Sequence, residues 1–133
     1  TCTCGLSGHW EGYASGRGIP FFFREWCTAH DLPCIYSTTP EILRFSATDP
    51  RYAGFRDALA QVNGRGLSSV IVAYDPDCII LDGTVIQRNP DLLDQALVYT
   101  DRYLDLPPCI FSPLNGDAPL IGAAMAVFHP KMI

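Results

Sequence analysis

The sequence predicts an α/β fold, and three observations predict it. Two short apolar runs, residues 78–81 (Cys-Ile-Ile-Leu) and 109–111 (Cys-Ile-Phe), are each closed by turn-forming residues. Stretches with helical spacing alternate with them, giving helix, strand, helix, strand, helix over residues 51–133. Hydrophobic residues make up 48% of the chain against 17% charged, which is enough apolar material for a packed core. That alternation implies parallel pairing, and 133 residues suit one domain. Two strands are few for an open sheet, so further strands are expected upstream of residue 1 or from another subunit.

Residues 1–18 are rich in Gly, Ser, Cys and Thr and read mainly as loop, with a helical pattern from Trp10 through Tyr13 and Ala14. Ser15, Gly16, Arg17 and Gly18 interrupt it. Pro20 suits a first helical turn, and Phe21, Phe22, Phe23, Trp26 and Cys27 after it read as core. Thr39 reads as an N-cap, followed by Pro40 and Glu41 in an acidic first turn, with Ile42, Leu43 and Phe45 on the helix. Asp49-Pro50 marks the next boundary. The longest helix is expected over 51–74, with Phe55, Leu59, Val62, Gly66 and Val70 as its apolar stripe. Gly64 and Gly66 weaken it by up to ~1 kcal/mol each and mark a kink or a close contact. Tyr74-Asp75-Pro76-Asp77 ends it with turn chemistry.

The first strand is expected to be buried on both faces. Asp82-Gly83-Thr84 closes it. Asn89-Pro90-Asp91 starts a helix whose face is supplied by Leu92, Leu93, Ala96, Leu97 and Tyr103. Pro107-Pro108 precedes the second strand, and Asn115-Gly116-Asp117 is a turn. Residues 118–128 form a final helix, expected to pack closely on the sheet through Gly122, Ala123 and Ala124 and to end at His129-Pro130.

Composition also excludes functions. The net charge of −5, with no basic stripe interleaved with aromatics, argues against direct nucleic-acid contact by this chain. No apolar run approaches ~20 residues, so no membrane span is expected. No signal peptide is visible. The chain opens Thr1-Cys2-Thr3-Cys4 without Met, and the expectation is a piece of a longer protein. Among the six cysteines, Cys78 and Cys109 sit in the apolar runs as small core residues, and Cys2 and Cys4 are poorly placed to bridge each other. A reducing, cytoplasmic setting is the expectation. His30 and His129 lack a partner cluster and read as surface or satisfied residues. No nucleophile elbow, HExxH, Walker A loop or paired catalytic carboxylates occur.

Residues 1–16 carry the chemistry: T-C-T-C-G-L-S-G-H-W-E-G-Y-A-S-G. Cys2, Cys4 and His9 are thiolate and imidazole donors of the kind Zn²⁺ prefers, and Gly5 and Gly8 let the loop fold back. Spacing alone admits both a metal site and free thiols in an exposed loop. Glu11 alone reads as a surface carboxylate at a helix start.

The segment resembles the pattern Cys-x-Cys-Gly-x-x-Gly-Cys-x-Glu-x-x-x-Ser-Gly of the ROK family (repressor, open reading frame, kinase). Cys2, Cys4, Gly5, Gly8, Glu11, Ser15 and Gly16 match in register, and His9 stands at the third cysteine. The resemblance extends over essentially the whole chain. It implies the latter part of an actin-like, ribonuclease H-like ATPase lobe. It implies zinc held by Cys2, Cys4 and His9, with a fourth ligand upstream of residue 1, and a sugar contact by Glu11. It implies that Gly83 matches the second glycine of a pair near the nucleotide's adenosine, with Asp82 at the first. The parent reaction would be ATP- and Mg²⁺-dependent phosphorylation of a glucose-type hexose. The family's phosphate-binding segment and catalytic Asp lie in its N-terminal part. No catalytic residue is therefore expected here, and the chain alone is expected to be inactive as a kinase. A sugar-sensing regulator fragment or a non-catalytic zinc- or sugar-binding module are the alternatives. Expected partners are the hexose, ATP, and either a missing N-terminal lobe or a second copy.

Overall fold

The computed structural model describes residues 2, 4–114 and 116–128. After a looped start come α1 (Glu11–Ala14), α2 (Gly18–Ala29) and α3 (Thr39–Thr48). A short 3-10 turn, Pro50–Tyr52, leads into α4 (Ala53–Tyr74). Then follow β1 (Ile79–Leu81), α5 (Thr84–Arg88), α6 (Asp91–Leu97), β2 (Cys109–Phe111) and α7 (Ala118–Phe128). The two strands pair in parallel, with Ile79 opposite Cys109 and Leu81 opposite Phe111. The turn expected at Asn115 and the stop at His129-Pro130 involve residues outside those described.

Local chemistry explains where the helices start. The Ser15 hydroxyl accepts from the Gly18 N–H at 3.0 Å, opening α2. A side chain at Gly18 would sit 2.4 Å from the Glu11 carbonyl oxygen, so only glycine lets α1 and α2 cross there. Thr38, one residue earlier than expected, caps α3. The Glu41 carboxylate accepts from the Thr38 N–H at 3.2 Å and from its hydroxyl at 2.8 Å. The carboxylate that fixes the start thus selects the residue three before it, and Pro40 falls inside the first turn.

The main core is helical and aromatic. Ile19, Phe23, Ile42, Leu43, Tyr52, Phe55, Leu59 and Leu92 are buried together. Phe23 meets Phe55 edge-on at 5.0 Å, and Tyr52 and Trp26 surround the pair. Phe21 turns outward. A smaller core of Leu67 on α4 with Leu93 and Ala96 on α6 packs under one face of the sheet, against Ile79 and Leu81.

The apolar stripe of α4 departs from the expected one after Leu59. Ala60, Gly64, Leu67 and Ile71 are buried, while Val62, Gly66 and Val70 are half-buried. The helix runs through both glycines. A side chain at Gly64 would fall 2.6 Å from the Ala96 carbonyl oxygen, and one at Gly66 would fall 2.4 Å from the Trp10 ring. Each glycine therefore marks a close contact, Gly64 with α6 and Gly66 with the looped start.

Ile80 is 64% exposed, so β1 is covered on one face only among the described residues. Cys78 is exposed because it precedes the strand, outside the small core beneath it. Tyr103 lies beyond the end of α6 and is exposed. No residue of α7 is buried, and nothing lies within 4 Å of a side-chain position at Gly122. Its small residues carry no close packing among the described residues. His30 is exposed and satisfied as expected, its Nδ1 bonded to the Trp26 carbonyl oxygen at 2.7 Å.

Burial also sets a pH dependence. The Cys27 thiol is pushed up to about 11 from an ordinary 9.0 by burial, with the neighbouring Cys34 thiol adding to the effect. Burial raises the Tyr52 hydroxyl and the Cys109 thiol in the same direction. Between about 9 and about 11 the unfolded Cys27 thiol ionises while the folded one keeps its proton. The folded state then binds more protons, so stability is lost as pH rises through that window. The urea midpoint should fall from pH 9 to 11, and Cys27→Ala should flatten part of that slope. A midpoint independent of pH there would contradict the burial of this thiol.

Candidate functional site

The looped start is folded by its own backbone. The Cys2 N–H donates to the Leu6 carbonyl oxygen at 2.8 Å, and the Gly5 N–H to the Cys2 carbonyl oxygen at 2.9 Å. Gly5 and Gly8 have φ of +87° and +86°, the left-handed region that glycine enters without strain. The two reversals bring the Cys4 sulfur to 3.2 Å from His9 Nδ1. The donor atoms of Cys2, Cys4 and His9 all lie within 4.8 Å of one another.

This donor set fits a metal. Donors held tetrahedrally at about 2.0–2.3 Å from one Zn²⁺ lie roughly 3.5–3.8 Å apart. The observed spacing needs only a small adjustment to reach that. Three of four tetrahedral positions could be filled by these side chains.

Trp10 fastens the loop to the scaffold. Its indole N–H donates to Asn63 Oδ1 on α4 at 2.8 Å, and its ring lies against Gly66. In the sequence Trp10 falls at the start of a helical pattern, and nothing singles out Asn63. The only signal for this anchor was the glycine at position 66.

Glu11 opens α1 beside the cluster. It lines a small pocket of about 170 Å³ together with Cys2 and Arg17. It also lines a larger cavity of about 560 Å³. Its lining includes Glu11, Ser15 and Gly16 as well as Asp82, Gly83 and Thr84. Leu59, Asn63 and Leu67 of α4 line it too. Glu11 and Gly83, chosen separately in the sequence, therefore line one cavity.

The turn at Gly83 has φ +104°, which a side chain would strain. Asp82 Oδ1 accepts from the Gly83 N–H at 2.7 Å, Gln87 Nε2 at 2.7 Å and the Gly116 N–H at 3.1 Å. Asp82 Oδ2 is buried with no hydrogen-bond partner among the described residues. Nothing local in the sequence points to Gln87, and Gly116 reads there only as a turn residue.

No helix among the described residues is long and apolar enough to cross a membrane.

The chain is 29% identical over 97 residues to a glucokinase of Pyrobaculum calidifontis, covering 72% of this chain and 31% of that one. It is 31% identical over 103 residues to a glucokinase of Aeropyrum pernix, covering 69% of this chain and 32% of that one. The chain thus spans about a third of the length of these relatives. The crystal structure of the ROK hexokinase of Thermus thermophilus superposes with a TM-score of 0.76 at 30% identity, covering 100% of this chain and 45% of that one. A ROK family glucokinase of Streptomyces griseus, solved with glucose and AMPPNP, superposes with a TM-score of 0.70 at 25% identity, covering 92% of this chain and 45% of that one. The expected α/β fold, the latter part of an actin-like ATPase lobe, is the one shared with these sugar kinases. The ROK family profile matches residues 1–129, and this chain belongs to the ROK family.

Proposed function

We propose that this chain is the sugar- and zinc-binding part of an ATP-dependent hexose kinase of glucose type. Residues 1–16 carry the contacts, and residues 51–133 supply the scaffold as part of one domain. The observation that carries the reading is the place of Glu11, which shares a small pocket with Cys2 of the Cys2, Cys4 and His9 cluster and lines a larger cavity together with the Gly83 turn. The S. griseus relative, with glucose and a nucleotide analogue bound, supports carrying both ligands to this chain.

In this reading the Glu11 carboxylate accepts hydrogen bonds from two adjacent hexose hydroxyls. Charge-assisted bonds of that kind are the strong ones. Cys2, Cys4 and His9 hold Zn²⁺, which supplies structure by fixing the loop that carries Trp10 and Glu11. The Gly83 turn lies against the nucleoside, where the lack of a side chain permits close approach. Phosphoryl transfer depends on positioning and on charge stabilisation of the moving group, with Mg²⁺ accompanying ATP. Those parts are assigned to the rest of the longer protein.

Metal analysis tests the zinc assignment. Chain purified with zinc in the medium should hold close to one zinc per chain, and Cys4→Ser should lose most of it. A variant that retains wild-type zinc after extensive dialysis would remove Cys4 from the site. Glucose titration of the zinc-loaded chain, followed by calorimetry, tests the sugar assignment separately.

A further inference from the structure

Asn63 is a polar residue in an apolar stripe. Leu59, Asn63 and Leu67 are four residues apart on α4, so one face of the helix carries all three. All three line the cavity that Glu11 lines. The two leucines are buried, and Asn63 is half-buried between them. Packing alone would favour a third apolar side chain there, because a polar group taken from water costs free energy unless it is hydrogen-bonded.

The protein satisfies only part of this amide. The Trp10 indole N–H donates to Asn63 Oδ1 at 2.8 Å. An indole N–H can only donate, so the oxygen of the amide must face Trp10 and the NH2 must take the other side. That NH2 has no hydrogen-bond partner among the described residues. Trp10 thus fixes the orientation of the amide and leaves its two donors free.

Donors are what this cavity otherwise lacks. Its charged residues are Glu11 and Asp82, and no Lys, Arg or His lines it among the described residues. A carboxylate accepts hydrogen bonds and does not donate them. A sugar hydroxyl that donates to Glu11 keeps oxygen lone pairs that still need a donor. Among the lining side chains, the Trp10 N–H is spent on Asn63, which leaves the hydroxyls of Ser15 and Thr84 and the Asn63 amide. Of these, only the amide offers two donors from one side chain, and it does so from a long helix.

We propose that Asn63 is a further substrate-contacting residue: oriented by Trp10, its NH2 donates to a hydroxyl oxygen of the sugar whose hydroxyls donate to Glu11. The inference rests on the sugar reading of Glu11. It adds α4 to the sugar site and gives the anchor of the looped start a second role.

Calorimetric titration of the zinc-loaded, 133-residue chain with glucose and with each of its monodeoxy analogues tests it. Asn63→Asp keeps an oxygen to accept from Trp10 and removes both donors. It should weaken glucose binding by ~5-fold or more, with zinc content and thermal melt unchanged. The signature is in the analogues. In the wild-type chain, removing the hydroxyl that Asn63 contacts should cost affinity, and in Asn63→Asp that one penalty should disappear while the other deoxy positions keep theirs. Asn63→Ala should show the same signature, and it decides if Asn63→Asp does not fold. A loss shared equally by glucose and all the analogues would make Asn63 an anchor for Trp10 only and overturn the proposal. So would glucose affinity unchanged within about twofold in Asn63→Asp, while wild-type glucose binding leaves the Glu11 reading standing. If the wild-type chain binds no glucose, the sugar reading fails and this inference fails with it.

Discussion

Glu11→Gln should lower the affinity of the zinc-loaded chain for glucose by ~10- to 100-fold while leaving its fold and zinc content unchanged. The substitution keeps the shape of the side chain and removes its charge. A hydrogen bond to a charged group contributes about 1.5–3 kcal/mol, more than a neutral one, and every 1.4 kcal/mol is tenfold in affinity. Two sugar hydroxyls sharing one carboxylate set the upper end of the range. Glu11 is exposed at the start of a four-residue helix and makes no ion pair among the described residues, so its stability cost should be small. Calorimetry with glucose, beside a thermal melt and zinc analysis, separates the two effects. Unchanged glucose affinity in Glu11→Gln would remove this residue from the sugar site.

Phe23→Ala should cost ~3–5 kcal/mol and lower the urea midpoint sharply. Phe23 has no exposed surface and lies at the centre of the aromatic cluster, 5.0 Å from Phe55 and 5.4 Å from Tyr52 between ring centres. Removing the ring loses its transfer energy and leaves a cavity that flanking helices fill only in part. Domains of this size are stable by only ~5–15 kcal/mol, so the loss is a large fraction of the total. Phe21→Ala, on the same helix but 36% exposed, should cost about 1 kcal/mol or less. Urea denaturation of the pair gives the comparison, and equal costs would contradict the placement of the core.

The short-range features were legible in the sequence because the interactions that fix them are short-range. The α3 capping box joins residues three apart, and the error there was one position. Thr38, not Thr39, is the residue that Glu41 can reach. The Cys2, Cys4 and His9 cluster closes within eight positions, through two glycines whose left-handed turns need no distant partner. The parallel pairing of β1 and β2 followed from two apolar runs separated by helical sequence.

The tertiary structure decided what depends on neighbours far along the chain. An apolar run does not say whether both of its faces will be covered, which is why Ile80 and Cys78 came out exposed and α7 unpacked. Gly64 and Gly66 look alike in sequence, yet one meets α6 and the other the Trp10 ring. Asp82 showed only that a charge stood beside Gly83. Its three donors, and the cavity that it lines together with Glu11, come from residues that only folding brings together. The sequence by itself determined the fold class, the family and the donors of the looped start, because local pattern and residue chemistry suffice for those. Only the tertiary structure joined Glu11 to the Gly83 turn, because burial and long-range contact set which surfaces face each other.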